Sequence, residues 1–351
     1  MLSWQARTLR SLLSAKNFLS PKLGAMDVER ARANLEMAGE VVRPIIHIDH
    51  IGVLANGVPG EWVIPAGTGS ERVILYLHGG AYNAGSTRSH RALAANIAYA
   101  ARARALTIDY RLAPEHPYPA ALLDALSAYQ WLLDSGIRPE QIAIAGDSAG
   151  GGLSVALLAT LRERGLPMPA AAVVLSPWTD LSASGESWQE NARSDYMING
   201  PKLREAARLY LKDASPQTPL ASPVYAKLEG LPPLLIQVGS DEVLLSDSLR
   251  LAENARLSGV DVTLEVWDGM QHVWQFAASP PTPNPKSNNR PNGGSSHPAG
   301  SCGCAARPPL RRRSVRWLSA SGGCASQSST ARGSRRASRK RASAKDTSSP
   351  C

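Results

Sequence analysis

The sequence predicts an α/β protein with a mostly parallel sheet of eight strands flanked by helices, and three observations carry that prediction. Short apolar runs rich in branched residues recur between residues 72 and 267, as expected for strands that are buried on both faces. Stretches with helical periodicity alternate with these runs, and three of them stop at or near Gly136, Gly165 and Gly259. Strands that alternate with helices imply right-handed crossovers and parallel pairing.

The individual strands follow from the apolar runs in chain order. Two early runs, IIHIDHIGV (45–53) and GEWVIPA (60–66), predict an antiparallel pair at the edge of the sheet. Six later runs predict the remaining strands: RVILYLH (72–78), ALTIDY (105–110), IAIAG (142–146), AAVVLS (171–176), LLIQVG (234–239) and VTLEVW (262–267). Helical stretches occupy most of the intervals between the six.

Two segments interrupt the alternation of strands and helices. Residues 1–42 have a helical pattern and precede the first strand, whereas residues 178–232 separate two strands by far more than one crossover helix requires. We expect the two segments to form a helical cap on a core of residues 43–276, with 178–232 as an insertion in that core. The amphipathic start of the chain fits a helix packed on its own protein, with attachment to a membrane surface as the alternative.

The end of the chain has a different composition from the rest. Residues 277–351 contain 16 Ser, 11 Arg and 9 Pro but only three Leu, Val or Ile, which predicts a disordered basic tail because little apolar surface is available to offset the ordering entropy. This tail holds 14 of the 38 Lys and Arg residues, so the body of the chain is slightly acidic. A tail of this charge also allows a second class of function, a tether for nucleic acid or an anionic membrane.

Cysteine usage and hydropathy bear on the location of the protein. All four cysteines, at positions 302, 304, 324 and 351, lie in the tail, and their spacing does not match a zinc site. A body without cysteine fits a reducing compartment, so we expect a cytoplasmic protein. The sequence has no run that predicts a signal peptide or a membrane-spanning helix.

The stretch IAIAGDSAGGGL (142–153) contains the candidate nucleophile, Ser148. It fits the pattern G-x-S-x-G between a strand and a helix, where a sharp turn lifts the serine hydroxyl out of the sheet. Gly146 and Gly150 flank the turn because larger side chains would clash there. The N-terminus of the following helix offers free N–H groups to an oxyanion.

A second glycine-rich turn, in LYLHGGAYNAG, follows the strand at 72–78. Adjacent glycines allow the backbone to approach a substrate carbonyl, so we expect the N–H groups of Gly79, Gly80 and Ala149 to form an oxyanion hole. His78 precedes the serine and lies within this motif, and we therefore interpret it as an orienting residue rather than as the base.

The base and the acid should follow the serine in the order Ser, Asp or Glu, His. After Ser148 the only histidines are His272 and His297, and His297 lies in the tail, so His272 is the candidate base. The stretch LLIQVGSDEVLLSD (234–247) offers three acids, of which Asp241 is preferred because it comes two residues after the end of a strand. The rivals are Glu242, Asp247 and, close to the base in sequence, Asp268.

Candidate substrate-contacting residues come from the two motifs and from the predicted cap insertion. They are Ala81, Tyr82, Asp147, Trp178, Tyr196 and Met197. Ordinary packing explains the residues of the insertion equally well, and a structural role in the turn is the alternative for Asp147.

Taken together, these stretches resemble the bacterial hormone-sensitive-lipase-like esterases, a group with the α/β-hydrolase fold. The matching stretches, which extend over roughly residues 1–276, are YLHGGAYNAGS, DYRLAPEHPYPAAL, GDSAGGGL, LSPWTDLS, LPPLLIQVGSDEVLLSDS and VTLEVWDGMQHVW. The resemblance implies hydrolysis of short- to medium-chain esters without a cofactor, by the nucleophile, acid and base named above. It also implies a homodimer through the sheet edge near 261–267. Amide hydrolysis or deacetylation by the same three residues is the alternative.

The chain departs from the pattern of these esterases at two places. Ala81 stands where the group has the third glycine of its HGGG motif, which would narrow the acyl site. After MQHVWQ the expected final amphipathic helix is replaced by the tail, and we hypothesise a shift of reading frame near the end of the gene. Under that hypothesis the base is less firmly held, and a binding protein with an impaired site is a further alternative.

Overall fold

The computed structural model describes residues 27–42, 44, 46–69 and 71–277. The predictions for residues 1–26 and for the tail after residue 277 lie outside these ranges. Within the described ranges no helix combines the length and the apolar composition needed to cross a membrane.

One eight-stranded sheet organises the described residues. Its strands are β1 (Ile48–Ala55), β2 (Val58–Pro65), β3 (Val73–Leu77), β4 (Arg104–Ile108), β5 (Ile142–Asp147), β6 (Ala171–Leu175), β7 (Leu234–Gly239) and β8 (Val262–Trp267). Their spatial order is β1-β2-β4-β3-β5-β6-β7-β8, and only the β1–β2 and β2–β4 pairs are antiparallel. The predicted fold class, with its antiparallel pair at one edge and its parallel remainder, is confirmed.

The burial of each strand follows from its place in this order. All five residues of the central strand β3 are buried, as the unbroken apolar run VILYL predicts for a strand covered on both faces. By contrast, β1 at one edge is mostly exposed, and at the other edge β8 has only partly buried or exposed residues. The core therefore lies around β3 and β5, whose carboxyl ends carry the two glycine-rich turns.

Helices connect and cover the strands. They are α1 (Val28–Val41), α2 (Thr87–Ala101), α3 (Ala120–Asp134), α4 (Ser148–Glu163), α5 (Ser187–Glu190), α6 (Gly200–Leu211) and α7 (Leu245–Leu257). Helix α4 follows β5 without an intervening loop and fills the centre of the fold, with 14 of its 16 residues buried. The short α5 and α6 both lie within residues 178–232, where the sequence predicted an insertion.

None of the residues of α1 is fully buried, and polar contacts link this helix to the core. Arg32 forms a two-pronged ion pair with Glu115, at 2.8 and 2.7 Å, and its Nε donates to the backbone oxygen of Asn83. Gly39 lies so close to the backbone of Ser89 that a side chain there would collide with it. This arrangement places one side of α1 above the carboxyl end of the sheet.

Candidate active site

Ser148 lies at the junction between β5 and α4 in a strained backbone conformation. Its φ of 53° is in the left-handed region, which a residue with a side chain adopts only where the surrounding structure enforces it. Close packing enforces the turn here, because a Cβ on Gly150 would collide with the carbonyl oxygens of Leu77 and His78. The next residue, Ala149, lies in the first turn of α4, where backbone N–H groups lack intrahelical acceptors.

His272 is paired with Glu242 rather than with Asp241. The distance between His272 Nδ1 and Glu242 Oε2 is 2.9 Å, and the Glu242 side chain is fully buried. Asp241 has different contacts: its Oδ1 accepts a hydrogen bond from the Ser240 hydroxyl, and its carbonyl oxygen accepts one from Ser194. The sequence-based choice of Asp241 as the acid was therefore wrong, because the turn after β7 directs the next side chain, Glu242, toward the histidine.

Further hydrogen bonds fix the second oxygen of Glu242. Its Oε1 accepts from the backbone N–H of Gly239 at 2.5 Å and from the Ser176 hydroxyl at 2.8 Å. The Ser176 oxygen also accepts from the backbone N–H of Val273, next to the histidine, at 3.2 Å. Ser176, at the end of β6, thus joins the carboxylate to the loop that carries His272.

The charge of the pair affects the histidine. Burial acts to lower the pKa of His272, but the hydrogen bond and the negative charge of Glu242 outweigh it, so the pKa is raised above its ordinary value of 6.5. Holding a proton on Nδ1 leaves Nε2 free to accept one. The pair therefore has the electrostatics of a general base that becomes an imidazolium during reaction.

Ser148 and His272 open onto the same cavity of about 430 Å³. The remainder of the cavity wall is mostly apolar and comes from α1, from the glycine-rich turn after β3, from the start of α6 and from the last described residues. These lining residues are Leu35, Ala38, Gly39, Val42, Gly80, Ala81, Ser89, His90, Asp147, Met197, Ile198, Asn199, Lys202, Leu203, Val273 and Phe276. A mostly apolar wall beside a nucleophile and a base suits a small substrate with an alkyl chain.

Comparison with known proteins gives the family of the chain. A family model described as alpha/beta hydrolase fold matches residues 74–276, more than half of the chain. The chain belongs to the α/β-hydrolase family. Its place within the family is with the bacterial hormone-sensitive-lipase-like esterases, as the sequence motifs predicted.

Relatives of this α/β hydrolase include proteins named as hydrolases and solved structures. An acetyl-hydrolase of Streptomyces hygroscopicus is 48% identical over 216 residues, which are 62% of this chain and 72% of that protein. An esterase of Acinetobacter venetianus is 40% identical over 259 residues, 70% of this chain and 85% of that protein. A solved esterase of the bacterial hormone-sensitive lipase family is 45% identical, with a TM-score of 0.74 over 79% of this chain and 93% of that one.

The turn after β3 in this α/β hydrolase differs from the sequence expectation at Gly79. Its N–H donates to Asp147 Oδ1 at 3.1 Å, so it is not directed at a substrate. Gly80 and Ala81 line the cavity beside Ser148, and among the described residues the N–H groups of these two have no hydrogen-bond acceptor. The assignment of Gly79 as an oxyanion donor was therefore wrong, whereas Gly80 lies where it was expected.

Three of the predicted substrate-contacting residues, Ala81, Asp147 and Met197, line the cavity. Tyr82 and Trp178 do not, because both are buried in the core, where the Tyr82 ring stacks on Tyr210 at 3.8 Å. These two predictions were wrong because an aromatic residue beside a motif, such as Tyr82, or in the insertion, such as Trp178, serves equally well as core packing.

Tyr196 was the remaining candidate, and it also lies outside the cavity lining. Its backbone N–H donates to the Gln271 side chain at 2.8 Å, next to His272 in sequence. The backbone of Tyr196 thus supports the loop of the base.

Two features of the site were not predicted from the sequence. His90, from α2, lines the cavity, and its Nε2 lies 3.5 Å from Asp147 Oδ2. The apolar side of α1, with Leu35 and Val42, forms another part of the wall. Helical periodicity located both helices, but it carries no information on which side chains meet the nucleophile.

Proposed function

We propose that the chain is a serine esterase that hydrolyses short- to medium-chain carboxylic esters through an acyl-enzyme. The observation that carries the proposal is the opening of Ser148 and His272 onto one mostly apolar cavity, with His272 paired to the buried Glu242. The esterase and acetyl-hydrolase relatives support the same chemistry.

The residues take the following roles in this proposal. His272 Nε2 accepts the Ser148 proton as the hydroxyl oxygen attacks the ester carbonyl, and Glu242 stabilises the resulting imidazolium. The oxyanion is bound by the N–H groups of Gly80, Ala81 and Ala149. His272 then protonates the leaving alcohol and afterwards activates a water molecule that releases the acid from Ser148.

The cavity accounts for the proposed chain length of the substrate. Leu35, Val42 and Phe276 provide an apolar wall, and α1 closes it on one side. A volume of about 430 Å³ is enough for a short or medium acyl chain.

Hydrolysis of p-nitrophenyl butyrate tests the proposal, with p-nitrophenyl palmitate as the long-chain comparison and butyryl p-nitroanilide as the amide. We expect turnover of the butyrate ester that disappears in Ser148→Ala, with far slower palmitate and anilide hydrolysis. Turnover that persists in Ser148→Ala would refute the role of Ser148 as the nucleophile. Preference for the anilide would favour the amidase alternative.

Homodimerisation and cytoplasmic location remain proposals. Strand β8 ends the sheet, and Val266 and Trp267 in it are 46% and 45% exposed, which fits pairing through the edge at 261–267. Sedimentation equilibrium of the protein and of a Val266→Lys variant tests the dimer, which the lysine should weaken. Fractionation of producing cells tests the location.

A further inference from the structure

The side chain of Asp147 is buried, and its carboxylate takes no part in the acyl transfer proposed above. Its Oδ1 accepts hydrogen bonds from the Tyr76 hydroxyl at 2.5 Å and from Gly79 N–H at 3.1 Å. Its Oδ2 lies 3.5 Å from His90 Nε2. Because Asp147 directly precedes Ser148, one side chain links the nucleophile to strand β3, to helix α2 and to the turn that contains Gly80 and Ala81.

The turn after β3 needs such a link because its backbone is strained. Gly80, Ala81 and Tyr82 have φ angles of 116°, 55° and 62°, and two of these three carry side chains. Consecutive residues in the left-handed region persist only where the surroundings hold them. Gly79 anchors the turn, and it has no space for a side chain because the Asp147 carboxylate occupies that position.

We propose that Asp147 is a positioning residue that keeps the oxyanion donors of the β3 turn in register with Ser148, and that Tyr76 holds its carboxylate in place. The inference rests on the proposed esterase function. The partners of this carboxylate stabilise its charged form. Burial acts to raise the pKa of Asp147, but the interactions with His90 and Tyr76 outweigh burial and lower the pKa. A charged acceptor strengthens the hydrogen bond from Gly79.

Loosening this link should affect the transition state more than the bound substrate. The negative charge on the carbonyl oxygen develops during attack, so the alignment of the oxyanion donors matters most at that stage. We therefore expect kcat to fall while KM stays nearly constant. A trifluoromethyl ketone, which adds to Ser148 and places an oxyanion in the same position, should lose affinity in proportion to kcat.

Tyr76→Phe tests the proposal with a change of one hydroxyl group in the core. Tyr129→Phe is the matched control, because its hydroxyl is bonded to the Pro167 carbonyl at 2.8 Å, away from the site. For Tyr76→Phe we expect kcat for p-nitrophenyl butyrate to fall about tenfold, and the Ki of the trifluoromethyl ketone to rise by the same factor. KM should change by less than about twofold, and Tyr129→Phe should change none of the three.

Substitutions of Asp147 provide a second test. The side-chain oxygen of Asp147→Asn still accepts from Tyr76 and Gly79, so this variant should retain activity within about fivefold, whereas Asp147→Ala should lose about a hundredfold or more in kcat. If Asp147→Ala does not fold, the comparison of Tyr76→Phe with Tyr129→Phe decides whether Asp147 has the positioning role.

Equal kinetics in the two tyrosine variants would overturn the positioning role, provided that Ser148→Ala is inactive. A rise in KM with an unchanged ketone Ki would also overturn it. Activity in Ser148→Ala would instead refute the esterase proposal, so the two failures are distinguishable.

Discussion

Replacing Glu242 and Asp241 separately by their amides tests which of these two adjacent carboxylates supports His272 in catalysis. In Glu242→Gln the negative charge next to His272 is lost, while the shape of the side chain is retained. Asp241→Asn is the matched control, since the same chemical change is made one residue away. We expect a large loss of kcat in the first variant and little change in the second.

The magnitude follows from the geometry of the pair. His272 Nδ1 and Glu242 Oε2 are 2.9 Å apart, and both side chains are shielded from solvent. With the two charges centred about 4 Å apart and an effective dielectric constant of about 20, the imidazolium gains about 4 kcal/mol from the carboxylate. Because each 1.36 kcal/mol corresponds to a factor of ten in rate, we expect kcat to fall about a thousandfold.

The pH dependence of kcat/KM provides an independent check. Esterase activity requires neutral His272, so it rises with pH through the pKa of this residue. Glu242 raises that pKa above 6.5, and the inflection of the wild-type protein should therefore lie above 6.5. In Glu242→Gln the inflection should move to lower pH, since burial then acts without the compensating charge.

Initial rates of p-nitrophenyl butyrate hydrolysis between about pH 5 and 9 measure both quantities. The reasoning would be refuted by an Asp241→Asn variant that loses as much activity as Glu242→Gln. If the inflection stays at the same pH in Glu242→Gln, the charge of Glu242 does not raise the pKa of His272, although Glu242 could still be the acid that orients it.

Three further predictions concern activity and stability. Ser176→Ala should lower kcat about tenfold, because the acid and the loop of the base lose a shared hydrogen bond, and kinetics with unchanged kcat would contradict it. Gly150→Ala should cost more than about 2 kcal/mol in urea unfolding, since its Cβ would collide with two carbonyl oxygens, whereas Gly52→Ala, with open space around it, should not. Burial raises the pKa of Asp247 to about 7, so its proton is bound more tightly in the folded state and stability falls as the pH rises from about 4 to about 7. The Asp247→Asn variant should show a flatter pH dependence of its unfolding free energy. An equally steep dependence would show that Asp247 is not its source.

The sequence by itself determined the elements of the fold and two residues of the site. Apolar runs identify buried strands because their residues face helices on both sides, and the antiparallel start of the sheet was visible as two early runs. Ser148 follows from a turn flanked by Gly146 and Gly150, where larger side chains would clash. His272 follows by elimination, because no other histidine lies after the serine and before the tail.

Only the tertiary structure decided which neighbours of these residues make contact. Asp241 and Glu242 differ by one position, and the direction of each side chain depends on the turn after β7, which periodicity does not describe. The bond between Gly79 N–H and the Asp147 carboxylate joins residues 68 positions apart, so no local pattern reports it. The same holds for Tyr82 and Trp178, which pack in the core. Residue type and spacing specify the chemistry available along the chain, but hydrogen bonds and burial between distant segments determine which groups meet.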